Sequence, residues 1–571
     1  MIRVKLLIFF LLLLFLSLWL ALFNLEVLQG AKFRELSKKN CIRLLPQQGA
    51  RGNIIDRKGR IMVGNKLSYD VMILPQNNTD AEQSLNKVAG ILGVNTETMA
   101  QTYRKGYFAS SVPVTVARNI DIKKAIMLEE LKPELPAVII QSNPVRNYPY
   151  GKLACHVFGY LGEIDRWRLT KMADYGYKTK DMVGFGGVEE VYDYYLRQDE
   201  GGLSMEVDHR GRFKRVLGFE PPTNGVDIQL TIDLEIQKIA EEALGGHKGC
   251  VIIMEPNTGE IIAMTSNPDF NPSVFLERSG GSLSGILNNP DAPLINRAIS
   301  GAYPAGSVFK LIVATAALET KKINSSTTFL CQGKLMVGRK EFLCWNTHGL
   351  QNLPMAIAHS CNVFFYRTGL LAGAQAIHDY AIRLGFSKPT GFELPNEAGG
   401  FIPSPLWYKL NKFRKWYDGD TANLSIGQGY VSVTPLQITR MMAVFANAGN
   451  VVRPYIVKAI GNKDISFSQR KSTHLNLKDT TIGYIRDGLR KVITDEGGTG
   501  NVLGGLPVAV AGKTGTAQAP PGMAHAWFVG FFPYQNPKFV MCVFLEHGGP
   551  GYYSCVVAKQ IIEGMVAGGL I

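Results

Sequence analysis

Three features are scarce in this chain of 571 residues, and each scarcity excludes a class of protein. Cysteine occurs eight times, which is too few for a scaffold built on disulfides. Charged residues make up only 19% against 46% apolar residues, so the chain is not disordered as a whole. There is one long apolar run and the mean hydropathy is +0.03, which excludes a protein with many membrane passes. At the usual size of a domain, the length predicts about three to five folded units.

Acidic residues are fewer than basic ones, at 47 against 61, which leaves a formal net charge of +14. Such an excess suits a chain that works near anionic lipid or an anionic polymer, and nucleic acid belongs among the candidates. Many anchored proteins are also basic for solubility alone. The net charge therefore favours anionic partners, but it does not distinguish among lipid, polymer and nucleic acid.

The single apolar run lies near the start of the sequence. Over residues 6–25 none is charged, and only Ser17 and Asn24 are polar. As a helix, a run of this length spans about 30 Å, which is the thickness of the hydrocarbon layer of a bilayer. Arg3 and Lys5 precede the run, and basic flanking residues favour the cytoplasmic side.

We therefore predict a cytoplasmic tail over residues 1–5 and a single-pass transmembrane anchor over 6–28, with the remaining chain outside the cytoplasm. A cleaved signal peptide is the alternative. The run is longer than a usual signal core, however, and no small-residue cleavage site follows it. A location outside the cytoplasm argues against nucleic acid as a partner.

A turn-rich segment at residues 221–225 divides the exported part into two regions. Residues 29–222 are mixed, with short strands, glycine turns and helical spacing over 79–104. In residues 223–571 the pattern of strands and helices predicts an α+β fold, a sheet flanked by helices. The predicted strands there are 227–231, 251–254, 260–265, 508–512, 526–532 and 539–544, the predicted helix is 234–244, and a further helix closes the chain.

The strongest local feature is Tyr303-Pro304-Ala305-Gly306-Ser307-Val308-Phe309-Lys310, which an apolar helix follows. Ser307 lies at the helix start and Lys310 one turn later, so both face the same side. A serine hydroxyl is a weak nucleophile unless a base takes its proton, and a buried lysine with a lowered pKa can do so. The helix start adds backbone donors for a developing oxyanion. Alone the pattern is weak, because Ser-x-x-Lys also begins at Ser84 and Ser468.

Two later motifs strengthen the interpretation of Ser307 as a nucleophile. Ser360-Cys361-Asn362 follows in the chain, and Lys513-Thr514-Gly515-Thr516 comes near the end in a predicted strand. The hydroxyl and the amide of the first motif can relay a proton and hold a substrate amide. The lysine and the two hydroxyls of the second can bind a carboxylate, and its glycine lets a substrate backbone lie close. Singly each motif is more often structural, but their order and spacing favour a catalytic site.

Ser-x-x-Lys, Ser-x-Asn and Lys-Thr-Gly in this order resemble the three motifs of penicillin-binding proteins and serine β-lactamases. The resemblance covers nearly the whole chain. Residues 51–59 look like the start of a class B penicillin-binding protein after its membrane anchor, and residues 184–192 are similar to the non-catalytic pedestal of that class. The resemblance thus implies a dimerisation-type pedestal domain over 29–222 and a β-lactamase-like transpeptidase domain over 223–571.

Two segments carry the finer resemblance. Residues 418–429 and 527–531 look like those of the elongation-type members of class B, penicillin-binding protein 2. The division type, penicillin-binding protein 3, shares most of these motifs and is the alternative. The elongation type implies a peptidoglycan D,D-transpeptidase that acts in cell-wall elongation, and whose serine β-lactams acylate.

The resemblance also implies roles for single residues. Ser307 would attack the carbonyl carbon of the penultimate D-Ala of a stem peptide, D-Ala would leave, and the amine of a second stem peptide would resolve the acyl-enzyme. Lys310 would be the base, and the backbone N–H groups of Ser307 and Thr516 would form the oxyanion hole. The implied catalytic residues are Ser307, Lys310, Ser360, Asn362 and Lys513, and the implied substrate-binding residues are Thr514, Gly515 and Thr516.

Four ligand-type residues with the spacing C-x12-C-x3-H-x12-C surround the second motif, namely Cys331, Cys344, His348 and Cys361. Three cysteines and a histidine are a common structural zinc set. Relatives of the elongation type can carry a metal here, with aspartates at the positions that align with the first two cysteines. The alternatives are a disulfide between those two cysteines, in an oxidising compartment, or free thiols. Most of the other cysteines are expected to be small core residues.

Three other functions compete with the transpeptidase interpretation. A β-lactamase needs a base that activates water on the acyl-enzyme, and no such residue is identified. A D,D-carboxypeptidase uses water with the same residues, and the motifs do not exclude it. A β-lactam sensor or scaffold would need a cytoplasmic output, for which residues 1–5 are too short.

The resemblance finally implies partners and a location. The substrates would be peptidoglycan stem peptides, and no cofactor would be required for the chemistry. A monofunctional transpeptidase needs a separate glycan polymerase, which in this family is a SEDS-family glycosyltransferase, together with other proteins of the elongation complex. The chain would lie in the bacterial inner membrane with its catalytic domain in the periplasm.

Overall fold

The computed structural model describes residues 2–74, 78–107, 113–135, 137–207, 213–276, 280–465 and 472–571. The chain forms two compact units. The first comprises residues 1–52, 65–146 and 197–225, and the second comprises residues 53–64, 147–196 and 226–571. All three motifs lie in the second unit. The domain boundary at residue 222 stays a prediction.

The first unit begins with one continuous apolar helix. An α-helix over Ile2–Phe23 passes into a π-helical turn over Asn24–Leu28, and no side chain of the α-helix is buried. The most apolar window of this helix has a mean hydropathy of 3.0. By length and composition the helix is able to cross a membrane.

The rest of the first unit packs helices on short sheets around its own apolar core. The helical spacing over 79–104 belongs to two helices, because Gly93 adopts a positive φ and the Asn95 side chain caps a new helix at Thr96. The remaining helices are Gly30–Cys41, Asn78–Leu92, Thr96–Gly106 and Ile122–Glu130, and the strands are Ile42–Gln47, Val114–Ile120, Val138–Asn147, Gly201–Val207 and Phe213–Glu220. The strand Ile61–Ile73 begins in the second unit and ends in the first.

A five-stranded antiparallel sheet is the centre of the second unit. Its strands are β1 (Gly249–Met254), β2 (Ile261–Asn267), β3 (Ala511–Ala517), β4 (His525–Phe532) and β5 (Phe539–Leu545). They lie in the order β2-β1-β5-β4-β3, with β3 at one end. All residues of β1 and β4 are buried, as expected of strands covered on both faces. The Lys-Thr-Gly motif lies on β3 and is therefore at the edge of the sheet.

Six helices position the functional residues beside this sheet. They are α1 (Lys310–Glu319), α2 (Leu353–Ala358), α3 (Asn362–Ala372), α4 (Pro405–Lys412), α5 (Asp418–Ser425) and α6 (Gly551–Ala567). Helix α1 is buried on every side from its lysine to Leu318, which explains its apolar sequence. The predicted α+β class is therefore confirmed.

Shorter elements complete the second unit. Its other strands are Ile54–Ile55, Tyr160–Glu163, Met182–Phe185, Ile228–Leu230, Phe329–Cys331, Lys334–Val337, Lys340–Leu343, Gly349–Gln351, Asn450–Val451, Val457–Ile460, Lys463–Asp464 and Thr473–His474. Its other α-helices are Cys155–Phe158, Arg166–Met172, Gly187–Val191, Asp193–Leu196, Leu234–Leu244, Gly280–Leu287, Ala374–Arg383, Pro435–Ala446 and Asp479–Thr494. Turns of 3-10 helix occupy Ala173–Tyr175, Pro272–Phe275, Gly306–Phe309 and Asn501–Leu503.

Candidate active site

Ser307 lies in a tight turn that other backbone segments hold from two sides. A 3-10 turn over Gly306–Phe309 leads directly into α1, as the sequence predicts, and Ser307 is half-buried in it. Gly306 has φ +54° and donates its N–H to the Gly427 carbonyl at 3.0 Å. A Cβ on Gly427 would lie 2.4 Å from the Gly306 carbonyl oxygen, so only glycine permits this approach.

Lys310 connects the first motif to the second. Its Nζ donates to the Ser360 carbonyl at 2.7 Å, to the Ser360 Oγ at 3.2 Å and to the Asn362 Oδ1 at 2.7 Å. Burial lowers the pKa of Lys310 to about 8, although the nearby Cys344 and Cys361 oppose the shift. A lysine with such a pKa is available as a base near neutral pH.

Ser360 adopts a strained backbone conformation between α2 and α3. Its φ is +51°, which a non-glycine residue rarely adopts, and its side chain is buried. Cys361 then caps α3, because its sulfur accepts from the N–H of Phe364. The turn directs both the carbonyl and the hydroxyl of Ser360 at Lys310, so the strain lies where catalysis would use it.

The third motif lies on β3, close to the serine turn. A Cβ on Gly515 would lie 3.2 Å from a methyl carbon of Val308, so the strand and the turn are in direct contact. Lys513 is fully buried, and burial and then the charge of Lys310 hold its pKa well below the usual range. The positive charge of Lys310 thus favours the neutral form of Lys513.

The two threonines of this motif are held by further hydroxyl and backbone groups. Thr514 Oγ1 bonds to Thr499 Oγ1 at 2.6 Å. Thr516 is exposed, and its Oγ1 accepts from the N–H of Gly551, the first residue of α6, at 3.0 Å. Because the Thr516 oxygen accepts this bond, its own proton is free for a carboxylate, whereas Thr514 donates its proton to Thr499.

The four ligand-type residues come together beside the second motif. The ligand atoms of Cys331, Cys344, His348 and Cys361 all lie within 4.8 Å of one another. Nδ1 of the histidine is 3.6 Å from the first sulfur and 3.5 Å from the second. The cysteines in the described part of the chain are free thiols. Cys155, Cys250, Cys542 and Cys555 are buried in the core, as expected from the sequence.

The cluster also contacts the catalytic side chains. The sulfur of Cys344 accepts from the backbone N–H of Asn362 at 3.2 Å. A hydrogen bond with Cys361 and a second with His348 lower the pKa of the Cys344 thiol. The sulfur of Cys344 thus holds the first residue of α3, so a group bound to this sulfur would affect the position of Asn362.

Nothing in the sequence indicates a role for Thr499 or Gly551 in the site. Thr499 lies within Gly497-Gly498-Thr499-Gly500, a run that predicts only a tight loop, and Gly551 follows Pro550 at the start of the closing helix. Their contacts with the third motif are made to residues 15 and 35 positions away in the chain. Of the Ser-x-x-Lys matches elsewhere, Ser84 and Lys87 lie in the first unit, and residues 468 and 471 lie outside the described residues.

Two family models cover most of the chain. The penicillin binding protein transpeptidase domain matches residues 249–566, and the penicillin-binding protein dimerisation domain matches residues 46–230. The transpeptidase match alone is more than half of the chain. The chain belongs to the penicillin-binding protein family.

Similar proteins within the family are of the elongation type. Peptidoglycan D,D-transpeptidase MrdA of Acinetobacter baumannii is 30% identical over 563 residues, which are 94% of this chain and 84% of that protein. A structure of penicillin-binding protein 2 of Helicobacter pylori in complex with MreC has a TM-score of 0.82 at 26% identity, over 93% of this chain and 99% of that one. A chain from the structure of a peptidoglycan synthase complex has a TM-score of 0.75 at 28% identity, over 98% of both chains.

These matches confirm the resemblance to an elongation-type class B penicillin-binding protein, with a pedestal and a transpeptidase domain. This penicillin-binding protein is thus a serine-type D,D-transpeptidase, and the chemistry of its family needs no cofactor.

Proposed function

We propose that this penicillin-binding protein cross-links peptidoglycan stem peptides through an acyl-enzyme on Ser307. The observation that carries the proposal is the convergence of three distant motifs, in which Lys310 bonds to Ser360 and Asn362 while the strand of Lys513 packs against the serine turn. The residues that we assign to catalysis and binding are those implied by the three motifs.

Acylation requires that the serine lose its proton as it attacks. The neutral amine of Lys310 takes the proton from Ser307 Oγ while Oγ bonds to the carbonyl carbon of the penultimate D-Ala. The amide C–N bond to the terminal D-Ala then breaks, and its nitrogen receives a proton from the lysines through the Ser360 hydroxyl. Deacylation reverses the roles, because the acceptor amine attacks the ester and Ser307 regains its proton.

Polar groups around the serine hold the peptide and the developing charge. The backbone N–H groups of Ser307 and Thr516 stabilise the oxyanion. The Thr514 and Thr516 hydroxyls bind the terminal carboxylate. The Asn362 amide gives one N–H to the Leu343 carbonyl at 3.2 Å and keeps the other for a substrate carbonyl.

Intact-mass spectrometry of the full chain in detergent, with and without a penicillin, tests this proposal. We expect a stable adduct of one penicillin per chain that maps to Ser307 and is lost in Ser307→Ala. The variant Ser468→Ala, at another Ser-x-x-Lys match, is the matched control and should react as the wild type does. Rapid hydrolysis of the drug would instead indicate a β-lactamase, and the absence of any adduct would contradict the proposal.

The location and partners of the family support a proposal for where this chain lies and which proteins it binds. The chain would be anchored in the inner membrane by residues 6–28, with the domains at 29–222 and 223–571 in the periplasm. The similar structures include a complex with MreC and a peptidoglycan synthase complex. We extend this to a SEDS-family glycosyltransferase and elongation-complex proteins as partners of this chain.

We also propose a structural zinc ion at the Cys331, Cys344, His348 and Cys361 cluster. In a tetrahedral site, Zn–S and Zn–N bonds of about 2.3 and 2.0–2.1 Å place a sulfur and a nitrogen ligand about 3.5 Å apart. The two nitrogen–sulfur distances of 3.5 and 3.6 Å match this value. Zinc would supply no chemistry to the acylation but would fix the loop that carries Asn362.

Metal content and thermal stability together test the zinc site. We expect about one zinc per full chain, and a chelator or His348→Ala should lower the melting temperature as the metal is lost. His474→Ala, at an exposed histidine, is the control and should keep the metal. A mass lower by two hydrogens, with Cys331 and Cys344 protected from alkylation, would indicate the disulfide instead.

A further inference from the structure

Helix α4 and the segment after it carry side chains that the proposed chemistry does not use. Residues 401–417 include four basic residues and no acidic one. Three apolar side chains on this stretch are largely exposed, Leu406 at 62%, Leu410 at 61% and Phe413 at 90%. We define the aromatic–basic surface as the side chains of residues 406–415 that are not buried, together with Tyr430.

Phe413 is exposed, and its backbone has a strained conformation. Its φ is +53°, a left-handed conformation that bulky residues rarely adopt, and its ring is the most exposed large apolar side chain in the described part of the second unit. Glycine or asparagine would satisfy the same backbone with less strain. Because an exposed ring contributes little to the folded core, the phenylalanine is better explained by contact with another molecule.

Cations and aromatic rings alternate on this surface. The Lys412 Nζ lies 4.7 Å from the centre of the Tyr430 ring and 5.7 Å from that of Trp407, and the two rings are 5.5 Å apart. Lys409 and Lys415 are exposed and have no acidic partner among the described residues. The surface therefore offers flat apolar faces together with uncompensated positive charge.

The surface is joined to the active site through two short connections. Phe401 pairs with Ser432, and the next residue, Val433, exchanges two backbone hydrogen bonds with Tyr303 just before the serine turn. On the other side, Ala422 of α5 packs against Phe342 and Val337 of the hairpin that ends at the Leu343 carbonyl, the acceptor of Asn362. These contacts connect the segments beside the aromatic–basic surface to the serine turn and to Asn362.

We propose that the aromatic–basic surface binds the anionic glycopeptide strand that carries the reacting stem peptide, an inference that rests on the proposed function. Sugar rings present apolar faces that pack on aromatic rings, and stem-peptide carboxylates complement the unpaired lysines. Exposed apolar side chains that are separated by lysines fit such a ligand better than they fit a bilayer, because a bilayer requires a continuous apolar face.

Charge reversal with a matched control tests the proposal. The full chain in detergent is compared as wild type, as Lys409→Glu/Lys415→Glu, and as Lys321→Glu/Lys322→Glu, which changes the net charge equally at exposed lysines beyond the far end of α1. The probes are uncross-linked glycan strands with pentapeptide stems, the same strands with amidated carboxylates, and a fluorescent penicillin. The readout is the ratio of the strand dissociation constant to the penicillin acylation rate.

We expect Lys409→Glu/Lys415→Glu to weaken strand binding about ten-fold at low salt, whereas the control pair has a much smaller effect. The difference should shrink with amidated strands and at high salt. Equal losses in the two pairs, or no loss, would overturn the proposal. A change in oligomeric mass without loss of strand binding would assign the surface to a second copy and also overturn it.

Phe413→Gly gives an independent test, because its expected loss of strand binding is not accompanied by a loss of stability and so does not result from misfolding. Glycine relieves the positive φ, so the melting temperature should stay the same or rise while strand affinity falls several-fold. A stable variant with unchanged strand affinity would contradict the role of this ring. Failure of the wild-type chain to react with penicillin would instead refute the proposed function, so the two failures are distinguishable.

Discussion

Two lysine side chains, Lys310 and Lys513, are completely buried in one site, and their unequal hydrogen bonds separate their roles. Lys310 donates to three oxygens, whereas Lys513 donates to the Thr514 carbonyl alone. Oxygens around an ammonium favour its charged form, and a neighbouring positive charge disfavours it. Lys513 is therefore held more firmly in its neutral form than Lys310, and Lys310 becomes the base for Ser307 once it has lost its own proton.

The first prediction concerns the pH dependence of acylation. Because burial lowers the pKa of Lys310 to about 8, its neutral form grows as the pH rises to that value. The rate of acylation by a fluorescent penicillin, measured by stopped flow from pH 6 to 10, should rise with its midpoint near pH 8 and level off above about pH 9. Lys310→Arg, which stays protonated, should remain unreactive at every pH. A flat profile for the wild type would exclude the lysine as the base.

At the scale of single residues, the sequence predicts the reacting residues but not the contacts and backbone conformations that position them. Ser307, Lys310 and Asn362 are recognisable because each belongs to a short motif with its own chemistry. Thr499 has no such motif, and its 2.6 Å bond to Thr514 depends on the position of a loop that the sequence does not specify. The strain at Ser360 is equally hidden, since a serine gives no sign of a positive φ.

At the scale of elements, glycines determine how closely the catalytic turn, β3 and α6 approach one another. A Cβ on Gly551 would lie 2.6 Å from the carbonyl oxygen of Gly515, and one on Gly427 would meet the turn before Ser307. These contacts are between backbones, so no side-chain rotation relieves them. The geometry of the site therefore depends on residues that have no chemistry of their own.

The second prediction uses two glycine substitutions with opposite effects. Gly427→Ala should displace the serine turn and lower penicillin acylation at least ten-fold, because the new methyl would contact the Gly306 carbonyl at a φ of +67°. Gly483→Ala in the helix Asp479–Thr494 has open space around it and should stabilise the chain by about 0.5–1 kcal/mol without changing acylation. Thermal melts and stopped flow measure both.

Element boundaries follow from the sequence where one local signal dominates. The helix Leu234–Leu244 agrees with its prediction, because Asp233 caps it and an apolar stripe continues to Leu244. The strand predicted at 508–512 instead lies at Ala511–Ala517. Its polar residues Lys513, Thr514 and Thr516 hide the apolar pattern, and pairing with β4 sets its bounds.

At the scale of the whole molecule, the apolar helix and the excess of positive charge indicate the same surroundings for the chain. The helix over Ile2–Leu28 leaves its apolar side chains exposed to whatever surrounds it, and water is a poor solvent for so many of them. An excess of 14 positive charges favours anionic surroundings, such as a membrane surface and the wall polymer. A membrane-anchored enzyme acting on an anionic polymer satisfies both properties.

The last prediction tests the anchor in the intact chain. Two arginines at the centre of the helix, Leu12→Arg/Leu14→Arg, should prevent stable insertion, since each costs about 2.5–3.5 kcal/mol on insertion scales. Carbonate extraction of membranes should then release the variant, whereas the wild type and Ser17→Leu, which removes a polar group from the same helix, should remain in the pellet. Release of the wild type would contradict the anchor. Retention of the double arginine variant would show that other contacts hold the chain at the membrane.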